Sequence, residues 1–421
     1  MTDMRATQRF DIVISGASFA GLALARALAR GSNGAVRIAI VDRAIRKETA
    51  TPDARAFALS AGARRMLDAL GIWSEIAGEA QAVSEIEITD SSLEAGIRPV
   101  LLRYDNRIGE AKSQGKLAEP ASHIVPASAF EAALYRAATA DPSLTLIAPA
   151  EIARFTDIGS AMAITLADGT SVTASLLVGA EGRRSASRDA ARIKTVGWRY
   201  GQTAIVTTIA HERPHGGRAI QHFLPGGPFA ILPLPNNRAC LTWTEDAEEA
   251  KRILALDDAG FLAEVETRIA GRLGAVEVVG PRQSWPLEMH LARAYVAPRF
   301  ALIGDAAHGV HPIAGQGVNL AFRDVAALAE VIVDALRLGL DPGSMQSLER
   351  YERWRRFDSF ASAAVFDGLN RLFSNDVLLI RAAREFGLGL VDRLPSLKQH
   401  LVAEAAGLTG EPPRLFRSEP L

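Results

Sequence analysis

The sequence predicts a mixed α/β (α+β) chain of more than one domain. It opens with a β-turn-α-β unit, continues through an antiparallel sheet and ends in a helical C-terminal region. Three observations carry this. An apolar run from Phe10 to Ser15 breaks at a glycine-rich turn and gives way to a helical pattern from Leu22 to Ala29. From Thr203 to Thr244 the chain is rich in β-branched and aromatic residues broken by Pro and Gly, the pattern of several antiparallel strands. Finally, the 421 residues exceed the roughly 250–300 at which a single core stops growing.

Along the chain, Val36 to Val41 is a second apolar strand. A polar segment, Arg43 to Asp53, precedes a helix carrying Met66, Leu67, Leu70 and Ile72. Alternation in Ile86–Ile88 and Val100–Tyr104 predicts strands, and the polar Gly/Lys-rich stretch from Asp105 to Ser122 an exposed hairpin or loop. Ala127 to Ala138 reads as helix. Ala161–Leu166 and Ser171–Val178 read as strands about the Asp168-Gly169 turn. The strand-like Phe300–Ile303 leads into a Gly-rich turn and a long helix from Val318 to Leu338. Beyond it, Leu379, Ala383, Phe386, Leu390, Leu394 and Leu397 recur at helical spacing, with Pro395 breaking or kinking the element.

Composition narrows the classes. Hydrophobic residues at 48% and charged ones at 23% are ordinary for a soluble globular protein. Lys plus Arg number 47 against 48 for Asp plus Glu, which gives no electrostatic case for a nucleic-acid partner or an acidic membrane surface. The single cysteine, Cys240, excludes an intramolecular disulfide and leaves a thiolate metal site short of ligands; no metal is expected. Asp11, Gly16, Gly21 and Arg26 interrupt the apolar N-terminal stretch, so it reads as strand and helix rather than a membrane span. The expected location is cytoplasmic, with peripheral association at a membrane left open.

The first chemical motif is Gly16-Ala17-Ser18-Phe19-Ala20-Gly21, between the first strand and the first helix. It matches G-x-G-x-x-G except that Ser18 stands at the second glycine. Gly16 allows the tight turn, Gly21 lets helix and strand pack closely, and backbone N–H groups at the helix start face an anionic pyrophosphate. The Ser18 hydroxyl is small enough to fit and is placed to donate to a phosphate. Asp42, followed by Arg43, ends the second strand, where an acid accepts hydrogen bonds from an adenosine ribose. The unit is therefore Rossmann-like.

The second motif runs from Ala301-Leu302-Ile303-Gly304-Asp305-Ala306-Ala307-His308 through His311-Pro312-Ile313-Ala314-Gly315-Gln316-Gly317-Val318-Asn319-Leu320 to Asp324. Asp305 ends an apolar strand, its carboxylate suited to a ribityl hydroxyl. Gly315-Gln316-Gly317 opens a helix whose first N–H groups have no intrahelical partner. Such an end contributes roughly 0.3–2 kcal/mol toward an anion. Taken alone, Asp305 reads as a helix cap, and His308 and His311 as surface residues.

The whole run closely resembles the FAD-dependent aromatic hydroxylases of the para-hydroxybenzoate hydroxylase type, and among them the ubiquinone-biosynthesis (polyprenyl-phenol) hydroxylases. Arg55-Ala56-Phe57-Ala58-Leu59-Ser60 resembles the family segment whose arginine approaches the cofactor pyrophosphate. Ala180-Glu181-Gly182, followed by Arg183, Arg184, Ser185 and Arg188, resembles the family's Asp-Gly motif with Glu181 in place of the aspartate. Ala127-Ser128 stands where relatives carry Asn-Arg. The resemblance implies a discontinuous FAD-binding domain (1–75, 123–185 and 285–340), a substrate domain (76–122 and 186–284) and a C-terminal helical region (341–421).

It further implies that Pro312 and Gly315 lie near the flavin ring and that Gln316, Gly317, Val318 and Asn319 face its pyrimidine edge. Reduced FAD then captures O2 as a peroxyflavin, and one oxygen atom passes to the ring of a hydrophobic phenol or quinol. NAD(P)H or a protein partner supplies the electrons. The resemblance identifies no catalytic base. Phe223, Phe229, Ile231, Leu232 and Leu234 are candidates either for a substrate channel or for ordinary sheet core, and the C-terminal stripe with Arg381, Arg384, Arg393 and Lys398 either for a membrane or partner face or, in preference, for packing against the protein's own body. Another FAD-dependent aromatic hydroxylase and a non-enzymatic flavin-binding subunit remain alternatives. A halogenase does not fit, since none of Trp73, Trp198, Trp243, Trp285 and Trp354 forms a W-x-W pair.

Overall fold

The structure, a computed structural model, describes residues 7–44, 53–91, 93, 99–109, 118–312, 315–374 and 394–421. Leu379, Ala383, Phe386 and Leu390, with Arg381, Arg384 and Arg393, lie outside the described residues, as do Ile313 and Ala314.

The first apolar run forms β1 (Ile12–Ser15), buried along its whole length as a central parallel strand must be. Gly16 turns the chain at φ +107° into α1 (Phe19–Gly31), which buries Leu22, Leu24 and Leu28. β2 (Ile38–Val41) lies parallel to β1, with Ile12 opposite Ile38 and Ser15 opposite Val41. β3 (Ala56–Ser60) leads into α2 (Ala61–Ala69), whose first turn is capped by the Ser60 hydroxyl accepting from the Ala63 N–H at 3.2 Å. The predicted helix through Ile72 stops earlier, because Leu70 closes α2 and Gly71 turns the chain at φ +74°.

β4 (Gln81–Ala82), β5 (Glu85–Asp90) and β6 (Val100–Asp105) follow. The polar stretch after β6 holds a short antiparallel pair, Arg107–Ile108 with Glu119–Pro120. β7 (Ser122–Pro126) pairs antiparallel with both β3 and β4, then α3 (Ala127–Thr139) leads to β8 (Leu144–Ile147), parallel to β2. β9 (Ile152–Asp157), β10 (Met162–Leu166) and β11 (Ser171–Ala174) form an outer meander.

The single strand predicted from Ser171 to Val178 is two strands in two sheets. At Ser175, whose N–H donates to the Asp11 carbonyl at 3.0 Å, the chain leaves β11 and enters β12 (Leu176–Gly179) beside β1. Ser171–Ala174 alternates in burial, whereas every residue of Leu176–Gly179 is buried, and that difference separates an outer strand from a central one.

After α4 (Ala186–Ala190) comes the large sheet: β13 (Thr195–His211), β14 (Arg218–Leu224), β15 (Gly227–Leu234) and β16 (Arg238–Asp246). α5 (Ala247–Leu254) and α6 (Asp258–Ile269) cover one face before β17 (Gln283–Ala292) returns along β13. On the covered face Ile205, Phe229, Ile231, Leu241 and Trp243 pack with Ile253, Phe261 and Val265. On the other face Val206, Ala219, Leu232, Leu234 and Cys240 pack with Ala56, Ala58 and Ile124 of β3 and β7. The five candidate channel residues therefore divide: Phe229 and Ile231 are core beneath the helices, Leu232 and Leu234 face β3, and Phe223 stacks on Phe373 with ring centroids 4.0 Å apart.

β18 (Val296–Ala297), β19 (Phe300–Leu302) and β20 (His308–Gly309) precede α7 (Gly317–Arg337), α8 (Met345–Phe373) and α9 (Pro395–Ala405). Pro395 begins a helix rather than breaking one, since the first helical position needs no N–H donor. The core sheet runs β8-β2-β1-β12-β19-β18, parallel except for β18, which pairs antiparallel with β19, and α7 packs along α1. β5 joins β14 in parallel and β20 joins β17, so the large sheet runs β20-β17-β13-β16-β15-β14-β5-β6.

Candidate functional site

The glycine-rich turn is closed by contacts that leave no room for side chains. A Cβ on Gly16 would stand 2.6 Å from the Ala180 carbonyl oxygen, and one on Gly21 2.0 Å from the Gly16 oxygen. This draws the ends of β1 and β12 against the start of α1. The same closeness brings the Ser18 hydroxyl to the Ala180 carbonyl, to which it donates at 2.9 Å. The expected Ser18 hydroxyl contact to phosphate is thus replaced by an internal one. What the turn offers an anion is backbone: among the described residues no side chain caps α1, and the N–H groups of Phe19 and Ala20 precede its first intrahelical bond.

Asp42 sits at the end of β2 and holds the turn, accepting from the Ala17 N–H at 2.6 Å and the Ala44 N–H at 2.9 Å. Each carboxylate oxygen retains capacity to accept from a ribose hydroxyl. Arg43 lies exposed beside it. The Arg55 guanidinium grips Asp53 at 2.6 Å and lies over the rings of Trp285 and Phe57 at 5.3 and 5.6 Å.

Glu181 explains its own departure from the family pattern. Its carboxylate accepts from the Ser15 hydroxyl at 2.6 Å, the Ser187 hydroxyl at 2.6 Å, the Ser187 N–H at 3.0 Å and the Ser185 hydroxyl. It ties the start of α4 to β1, and what the segment presents outward is the backbone of Ala180 and of Gly182, at φ +81°.

The second motif meets the first at Gly304. At φ +59° it needs no Cβ, and one would lie 3.2–3.3 Å from the methyl groups of Ala321 on α7 and Ala20 on α1. Next to it, Asp305 is exposed at the carboxyl end of β19 and caps no long helix. The expectation that His308 and His311 are surface residues is corrected: each is 1% exposed.

The reason is Asp324, a residue of α7 to which sequence reasoning gave no role. Fully buried, it accepts from the Gly304 N–H at 2.9 Å and from His308 Nε2 at 2.6 Å on one oxygen, and from Arg355 Nε at 2.8 Å on the other. Burial alone would raise its pKa, but His308 and Arg355 hold it below the usual carboxylate range. An ionised carboxylate only accepts, so His308 carries its proton on Nε2. Arg355 also reaches Asp358, and the Tyr351 hydroxyl donates to the Leu302 carbonyl at 2.7 Å. An aspartate inside so apolar a helical stretch was the available signal.

His311 packs edge-on against Tyr200, centroids 4.9 Å apart, and burial pushes its pKa down to about 4, so it is neutral near pH 7. Pro312 follows, and its carbonyl accepts from the Gly315 N–H at 2.9 Å. Gly315, at φ +61°, stands against Ala58 of β3. The Asn319 amide is spent on that strand, accepting from the Ser60 N–H at 2.9 Å and donating to the Ala58 carbonyl at 2.8 Å. Among the described residues no side chain caps α7 at Gln316, which leaves the N–H groups of Gly317 and Val318 for a ligand.

Two helix starts open to anions, joined by a turn that exposes a carboxylate, fit the demands of a flavin dinucleotide. Residues 9–364 match the family model described as "FAD binding domain", and the chain belongs to that family, as one of its FAD-dependent monooxygenases. It is 43% identical over 418 residues to the ubiquinone hydroxylase UbiL of Rhodospirillum rubrum, across 98% of this chain and 93% of that one. It is 31% identical to the 3-demethoxyubiquinol 3-hydroxylase of Escherichia coli, across 95% and 99% of the two chains. The fold matches PqsL, a probable FAD-dependent monooxygenase of Pseudomonas aeruginosa, with a TM-score of 0.75 at 22% identity, covering 90% of this chain and 99% of that one.

Among the described residues, no cluster of His, Cys, Asp and Glu is arranged to hold a metal ion, and no helix is long and apolar enough to cross a membrane. Asp305→Ala is expected to weaken FAD binding about 10- to 100-fold, the loss of a charge-assisted hydrogen bond. A fluorescence titration with FAD reads this directly, and an unchanged affinity would remove Asp305 from the site.

Proposed function

We propose that this chain hydroxylates the ring of a polyprenylated phenol or quinol precursor of ubiquinone, with FAD as cofactor, O2 as co-substrate and NAD(P)H or a protein donor as reductant. The observation that carries this reading is the end-to-end likeness to the Rhodospirillum rubrum ubiquinone hydroxylase, at 43% identity. Bound FAD supplies the activation of oxygen and its transfer as a single atom. The chain's own residues position and shield. In this reading Gly16, Ala17, Phe19 and Ala20 offer backbone to the pyrophosphate, Arg55 approaches it, Asp42 and Arg43 meet the adenosine and Asp305 meets the ribityl chain. Gly317 and Val318 meet the pyrimidine edge.

The substrate ring would lie between Pro312 and Gly315 on one side and, on the other, the face of the large sheet turned away from α5 and α6. That face carries Val206, Ala219 and Leu232, an apolar wall suited to a hydrophobic aromatic compound. α8 exposes Phe357 (78%) and Phe360 (60%) beside the exposed Arg353 and Arg356, which supports peripheral association with a lipid surface or a biosynthetic complex.

The test is a visible spectrum of purified protein with and without added FAD, followed by turnover of a farnesylated phenol under 18O2. One labelled oxygen atom per product molecule is the expected result. Failure to take up FAD, or flavin-loaded protein that yields no labelled product with any polyprenylated phenol or quinol, would overturn the reading.

A further inference from the structure

We infer that Gln221 is a specificity-determining residue whose side-chain amide donates a hydrogen bond to an oxygen substituent on the substrate's ring; the inference rests on the hydroxylase reading above. Across the large sheet, Ile88, Gln221, Ala230, Thr242 and Val206 stand opposite one another in register on β5, β14, β15, β16 and β13. Residues so paired share one face, and so do alternate residues of a strand, here Ala219, Gln221 and Phe223. The face is the one turned to the flavin site. Ala219 and Val206 pack with Ala54, Ala56 and Ala58, and Gly315 abuts Ala58 from the other side. At the far end, Phe223 and Ile88 pack with Phe366, Leu369 and Phe373 of α8.

Gln221 thus stands between two apolar clusters, opposite a residue as small as Ala230. Its amide nitrogen is buried and has no hydrogen-bond partner among the described residues. A buried donor left unmet destabilises a fold, and a methionine or leucine would fill the same place without that penalty. The donor is explained by an acceptor that arrives with the ligand. A ring seated on this face meets mainly hydrocarbon, the Thr242 hydroxyl two strands away and this one amide N–H, which fits an aromatic compound bearing a hydroxyl, methoxy or carbonyl oxygen.

The experiment compares 2-farnesylphenol with farnesylbenzene, which lacks the ring oxygen, binding to FAD-loaded protein as read from perturbation of the flavin's visible spectrum. The native protein is expected to bind the phenol about tenfold more tightly. In Gln221→Met the ratio of dissociation constants should fall close to one while the thermal midpoint holds or rises. A residue that merely supports the fold would instead lower the midpoint, and that result, or a ratio left unchanged, overturns the proposal. Should the methionine crowd Phe223 and prevent folding, Gln221→Leu gives the same comparison. If 2-farnesylphenol leaves the flavin spectrum of the native protein untouched, the hydroxylase reading itself falls.

Discussion

Gly16→Val is expected to produce a protein that carries no flavin and melts far below the native one. The backbone there sits at φ +107°, a region that β-branched residues adopt only under strain. The added Cβ would meet the Ala180 carbonyl oxygen at 2.6 Å, its carbon at 2.8 Å and the Glu181 Cα at 3.0 Å. All three are backbone atoms of a central strand end, so no side chain can swing aside. Strain and overpacking together cost roughly 3 kcal/mol or more. From the sequence, such a side chain is expected to block pyrophosphate approach. The structure places it against β12 first, so stability and occupancy should fall together. Measuring the FAD-to-protein ratio alongside the melting temperature checks this, and native occupancy at a native midpoint would refute it.

The second large effect is expected at Arg355. Arg355→Met strands the fully buried Asp324 without the guanidinium that meets its second oxygen, and breaking a buried ion pair from one side destabilises by roughly 3–5 kcal/mol. Urea denaturation of the native and variant proteins reads this as a lower midpoint at an unchanged slope. Adding Asp324→Asn to the variant should recover part of the loss, because the uncompensated charge is then gone. A single variant within about 1 kcal/mol of native stability, itself the scale of an ordinary substitution, would show that Asp324 is met by other groups.

The legible parts of the fold are those written locally. An uninterrupted apolar run, a glycine turn and a helical stripe identify β1 with α1 and β19 with α7, because each signal lies within a few consecutive residues. Ser171–Val178 is misread as one strand because the exchange of partners at Ser175 depends on Asp11, far away in the chain. The burial of His308 is hidden for the same reason: it depends on Asp324 and Arg355, neither of which its neighbours announce. Ser18 and Glu181 are conspicuous in the sequence as departures from a pattern. Where their side chains point is decided by Ala180, Ser15 and Ser187, which only the folded chain brings near.

The meeting of Ala20, Gly304 and Ala321 has a bearing on redesign. Three residues with almost no side chain meet there: a methyl group added at Gly304 would press on the two alanines at 3.2–3.3 Å, so α1 and α7 would have to give way slightly. Redesign should therefore leave this vertex alone and begin on the large sheet, where Ala230 stands opposite Gln221 in register.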